Sequence, residues 1–123
     1  MLVGTISTLV ACDSKEHPFV ISNTLPQAVT LQILEFGIDT DQLPPSPALI
    51  GREGEYVSGS LRLAAGEVAE IYKAGVAEGR KGYIIVINDE RGNELFRQEF
   101  PRDDLIKHNF KLTITGQGIE YSP

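Results

Sequence analysis

The chain has 123 residues, a single cysteine, two histidines, no tryptophan and a formal net charge of −6. One domain of this length buries a sizeable core without metal or disulfide, and a lone cysteine excludes an intrachain disulfide. The acidic charge is spread without blocks, which argues against nucleic acid as a partner and against electrostatic adsorption to anionic lipid.

The chain opens with a broken apolar run, Leu2-Val3, Ile6 and Leu9-Val10, followed by the small residue Ala11, then Cys12 and Asp13. Leu9-Val10-Ala11-Cys12 resembles the lipobox of bacterial lipoprotein precursors. That resemblance implies removal of residues 1–11 as a signal segment, cleavage between Ala11 and Cys12, and acyl chains on the Cys12 thiol. Asp13 resembles the inner-membrane retention signal of some diderm lipoproteins. Two features depart from the pattern: no Lys or Arg precedes Lys15, where a signal begins with positive charge, and Gly4, Thr5, Ser7 and Thr8 interrupt the run. A competing reading makes Thr5 to Cys12 a first strand with Cys12 as a small core residue. The membrane assignment depends on this cysteine. The longest apolar stretches, such as Tyr83 to Ile87, fall far short of the roughly 20 residues a spanning helix needs.

Ser14 to Pro18 is polar and ends in proline, so residues 12–18 read as a tether and residues 19–123 as the folded domain. Phe19 to Asn23 is a short strand, and Thr24 to Gln27, holding Pro26, is a turn. Val29, Leu31 and Ile33 then alternate with Thr30, Gln32 and Leu34 up to Phe36-Gly37, the signature of a half-buried antiparallel strand. The pair resembles the first hairpin of immunoglobulin-like or fibronectin-like modules, in which an Asn commonly sits before the turn.

Residues 38–58 break the regularity. Leu43-Pro44-Pro45-Ser46-Pro47 excludes a central strand, and Arg52 follows among glycines. Long irregular segments in compact domains are often functional, although a plain crossover between strands accounts for the pattern too. Ser60 to Leu63 and Val68 to Lys73 alternate about Ala64-Ala65-Gly66-Glu67, and this reads as a second hairpin despite the helical propensity of its alanines and glutamates. Gly75 to Gly82 is a turn region. Tyr83 to Ile87 is apolar on both faces and therefore central, and Asp89 to Asn93 turns the chain into Glu94 to Phe100, with Phe96 and Phe100 inward. Residues 102–108 form one helical turn with Asp103 or Asp104 at its start. Phe110, Leu112 and Ile114 face inward on a closing strand. The fold class is all-β, a single antiparallel β-sandwich of about seven short strands with one helical turn.

Chemistry is sparse. His17 lies in the tether and His108 at a helix end, and neither has a second metal ligand at a useful spacing. No serine lies in a nucleophile-elbow context. The loop from Asp89 lacks the alternating oxygens and distal bidentate Glu of a calcium loop, and Asp39 and Asp41 are ordinary loop carboxylates. No catalytic residue, metal or cofactor is indicated, so a non-enzymatic protein is expected. The exposed feature with a binding mechanism is the stiff Pro-rich stretch, which loses little entropy on docking. Leu43, Pro44, Pro45, Pro47 and Arg52 are therefore the candidate partner-binding loop. The expected function is a lipid-tethered, extracytoplasmic accessory subunit that contacts a membrane protein or complex. A small-ligand-binding envelope lipoprotein is the alternative, or a soluble β domain if Cys12 carries no lipid.

Overall fold

The computed structural model describes residues 18–37, 46–52, 60–73 and 81–123. Two five-stranded, largely antiparallel sheets face one another, an all-β sandwich of the class expected from the alternating sequence. The strands are β1 (Phe19–Asn23), β2 (Val29–Phe36), β3 (Ser46–Pro47), β4 (Ile50–Gly51), β5 (Leu61–Leu63), β6 (Val68–Lys73), β7 (Gly82–Asn88), β8 (Glu94–Pro101), β9 (Lys111–Thr115) and β10 (Gly118–Tyr121). Seven of these have four or more residues and carry the sandwich; β3, β4 and β5 are short edge pieces. Among the described residues one helix, α1 (Arg102–Lys107), joins β8 of one sheet to β9 of the other.

The first sheet runs β10-β9-β1-β6-β4, and the second runs β3-β2-β7-β8 with β5 also paired to β2. One strand pair is parallel, β1 with β9, in register Val20↔Lys111 to Asn23↔Ile114. Period-two burial places Phe19 and Ile21, Val29, Leu31 and Ile33, Ala69 and Ile71, and Leu112 and Ile114 in the shared core. Each of the larger aliphatic side chains stabilises the fold by roughly 1.5–3 kcal/mol when fully buried. Phe19 is the aromatic centre, with Tyr83 at 5.3 Å and Phe110 at 5.2 Å, both edge to face. β7 lies between β2 and β8, with Tyr83, Ile85 and Ile87 in the core and Val86, of the opposite parity, also buried.

Two hairpin readings are corrected. β1 and β2 do not pair, because β1 lies between β6 and β9 while β2 pairs with β7 in the other sheet. β5 and β6 likewise part, to β2 and to β1. Both connections are arches that cross from sheet to sheet. Alternation fixes which side chains a strand buries, and two strands burying side chains toward one core satisfy it equally from opposite layers. The segment 38–58, read as irregular, contains β3 and β4 at its described positions. β3 is an edge strand, as Pro47 requires. β10 extends the first sheet beyond β9, so the expected closing strand is not the last one.

Asn23 explains how the arches hold. Its side chain is buried at 1 % exposure. Its Nδ2 donates to the carbonyl oxygens of Gln27 at 3.0 Å, Ala64 at 3.1 Å and Leu63 at 3.4 Å, while its Oδ1 accepts the Leu25 N–H at 3.0 Å. One amide thus satisfies backbone groups of both arches, groups that no sheet ladder reaches. Helix α1 seats Leu105 in the core at the other end. It ends in two consecutive left-handed residues, Asn109 and Phe110, a conformation costing about 1–3 kcal/mol at each non-glycine position. The Phe110 N–H donating to the Leu105 carbonyl at 2.8 Å and the buried Phe110 ring hold it.

Candidate functional site

The proposed loop is only partly within the described residues: Leu43, Pro44 and Pro45 lie outside them, as do Ala11, Cys12, His17, Asp39 and Asp41. Pro47 is exposed on β3, opposite Leu34 of β2. A proline at that edge removes a donor from the pairing surface and discourages further strand addition there.

Arg52 is engaged within the fold. Its Nη2 donates to the Glu67 carboxylate at 2.8 Å and to the Arg62 carbonyl at 2.9 Å, and its Nε reaches the same carboxylate at 3.3 Å. The other Glu67 oxygen accepts the Ala64 N–H at 2.9 Å. The Arg52 hydrogen bond first, and the Ala64 N–H second, hold the Glu67 carboxyl below its ordinary value. Arg52 thus anchors the end of β4 to the β5–β6 arch, with its side chain about two-fifths exposed.

The turn between β7 and β8 is closed by Asp89, whose Oδ1 accepts the N–H groups of Arg91 and Asn93, both at 2.9 Å. These bonds, that of Asn93 first, lower the Asp89 pKa. Gly92 supplies the left-handed residue at φ 90°. Beside this turn, Gln27, Ala28, Asp89, Glu90 and Arg91 line a surface depression of about 270 Å³. Small-molecule sites usually enclose about 300–1,000 Å³ with mainly apolar walls, and this polar rim does not have that character. His108, at the end of α1, stacks on Tyr121 with ring centroids 4.0 Å apart. Burial first, and Asp104 second, raise the Tyr121 pKa. Among the described residues no three His, Cys, Asp or Glu side chains converge as a metal site, and no helix is long and apolar enough to cross a membrane.

The most unusual polar cluster lies inside the sandwich. Lys73 Nζ stands 3.0 Å from Glu35 Oε2, with side-chain exposures of 3 % and 9 %. Lys73 ends β6 of the first sheet and Glu35 lies on β2 of the second, so the pair bridges the layers. Tyr83, fully buried, is the cross-strand neighbour of Glu35, and its ring centroid is 5.8 Å from Lys73 Nζ. Removing two such charges from water costs several kcal/mol per ion, which contact between them must offset. No motif in the sequence marks this pair. The available signal was parity: Glu35 continues the inward series Val29, Leu31, Ile33, and Lys73 continues Ala69, Ile71. Opposite charges at inward positions of two strands require one another.

No protein-family model matches the chain, and neither curated proteins nor solved structures gave a match.

Proposed function

We propose that this protein is a non-enzymatic, lipid-tethered accessory subunit at the outer face of the cytoplasmic membrane, contacting a membrane protein or complex. The observation carrying this reading is Leu9-Val10-Ala11-Cys12-Asp13, with the only cysteine of the chain at the acceptor position. Two or more acyl chains on one cysteine bind durably, whereas one binds reversibly. The spacing to the fold supports the same reading. Six residue-to-residue steps separate Cys12 from Pro18, where the described chain enters β1. A segment of that length reaches roughly 20 Å at full extension. A domain so tethered is confined to a thin layer beside the bilayer, which raises its effective concentration toward membrane partners and lets a small interface suffice. Pro47 is exposed, and the sequence Leu43-Pro44-Pro45-Ser46-Pro47 around it has the composition of a polyproline-like ligand for such contact.

Fractionation of cells expressing the wild type and Cys12→Ser tests the assignment. The wild type is expected in the membrane fraction and released only by detergent, with Cys12→Ser in the soluble extracytoplasmic fraction. Equal partitioning of the two proteins would overturn the lipid tether.

A further inference from the structure

The Lys73–Glu35 pair has the composition and placement of an unreacted amide. We infer that the two side chains condense into an intramolecular isopeptide bond, a covalent brace between the sheets. An amine nucleophile and a carboxyl group are held at 3.0 Å, from strands of different layers, at side-chain exposures of 3 % and 9 %. The 3.0 Å contact is between Nζ and Oε2, so a small rotation of the carboxyl group brings Cδ to the nitrogen, and pairs aligned in that way reach effective concentrations on the order of 10⁵–10⁸ M. Exclusion of solvent by Tyr83 and the surrounding core removes the water that would otherwise drive the bond back to acid and amine.

The atoms balance within the pair. The Lys73 ammonium passes one proton to the Glu35 carboxylate, and the nitrogen lone pair then attacks Glu35 Cδ. A C–N bond forms and one C–O bond breaks. The departing oxygen leaves as water with the transferred proton and a second proton from the nitrogen. No oxidant, metal or co-reactant enters.

The location gives the bond a purpose. Glu35 lies next to the last residue of β2, and Lys73 is the last residue of β6. A bond there pins two strand ends on opposite sheets and closes a loop between residues 38 positions apart, 35 and 73. Cross-links of that span restrict the unfolded chain as a disulfide does, and this chain, with one cysteine, has no disulfide available.

Peptide mass mapping of the purified full chain tests this directly. Trypsin cuts after Lys15, Arg52, Arg62 and Arg80, and after Lys73 only if its amine is free. The expected wild-type product is a branched peptide joining residues 16–52 to residues 63–80, lighter than the sum of its parts by one water. Lys73→Arg retains a cation opposite Glu35 but lacks a nucleophilic amine, and it is expected to give only linear peptides. Quantitative recovery of linear 16–52 with cleavage after Lys73 in the wild type would overturn the proposal and leave a simple ion pair. That outcome would not touch the lipid tether, which is read at Cys12.

Discussion

Replacing Asn23 by Ala removes the amide that joins the two sheet-crossing arches. Three well-formed hydrogen bonds are lost, to Gln27 O at 3.0 Å, to Ala64 O at 3.1 Å and from Leu25 N–H at 3.0 Å, along with a longer one to Leu63 O at 3.4 Å. A buried bond contributes about 1 kcal/mol net, and each partner left buried without a replacement adds a desolvation cost of about 1–3 kcal/mol. Because Gln27 and Leu25 lie near solvent and recover some hydration, the expected total is about 3 kcal/mol. With a urea slope of about 1.5 kcal/mol per M, the midpoint should fall by about 2 M. Far-UV circular dichroism is the suitable probe, since the chain has no tryptophan. Asn23→Asp keeps the acceptor for Leu25 but turns an oxygen toward the carbonyls that Nδ2 served, so its loss should equal or exceed that of Ala. A midpoint shift below about 0.5 M for Asn23→Ala would be too small for a hub of this kind and would refute the reasoning.

Three further outcomes follow from the geometry. The Glu67 carboxyl is held below its ordinary value by Arg52 and the Ala64 N–H, so its contribution is present above the ordinary glutamate range and is lost as pH falls through the folded value. Stability measured against pH should therefore decline on the acid side, and Glu67→Gln should flatten part of that decline; an unchanged profile would remove Glu67 from the account. In Gly82→Ala the new Cβ would lie 2.7 Å from the Phe100 carbonyl oxygen and 2.9 Å from the Phe36 ring, so thermal unfolding should report a loss of about 1–3 kcal/mol from forced repacking. A neutral result would mean that β7 and β8 separate easily there. If the proposed membrane partner binds this loop, joint replacement of Pro44, Pro45 and Pro47 by Ala should weaken their co-purification while leaving the circular dichroism spectrum intact, and undiminished co-purification would exclude this loop as the interface.

Much of the layer structure was legible because period-two burial is a local property. Val29, Leu31 and Ile33 alternate cleanly, and β1, β2, β6 and β9 were bounded at or within a residue of their ends. The unbroken apolar run of β7 announced a central strand, and Asp89 to Asn93 announced its turn. Partner choice was not legible. The chain from Asn23 to Val29 carries the residues of a tight turn, yet it crosses between layers because a buried amide replaces the hydrogen bonds a hairpin ladder would have made. The same holds from Leu63 to Val68, where Glu67 and Arg52 complete the crossing. The ion pair was half legible, as two charges at inward parity on strands whose proximity only the topology reveals.

The central claim, the lipid tether, is tested most directly by the intact mass of the protein extracted from its native membranes. The account predicts loss of residues 1–11 and added acyl mass localised to Cys12. An unprocessed chain with a free Cys12 thiol would contradict it, and would leave a β-sandwich whose location the motif does not explain.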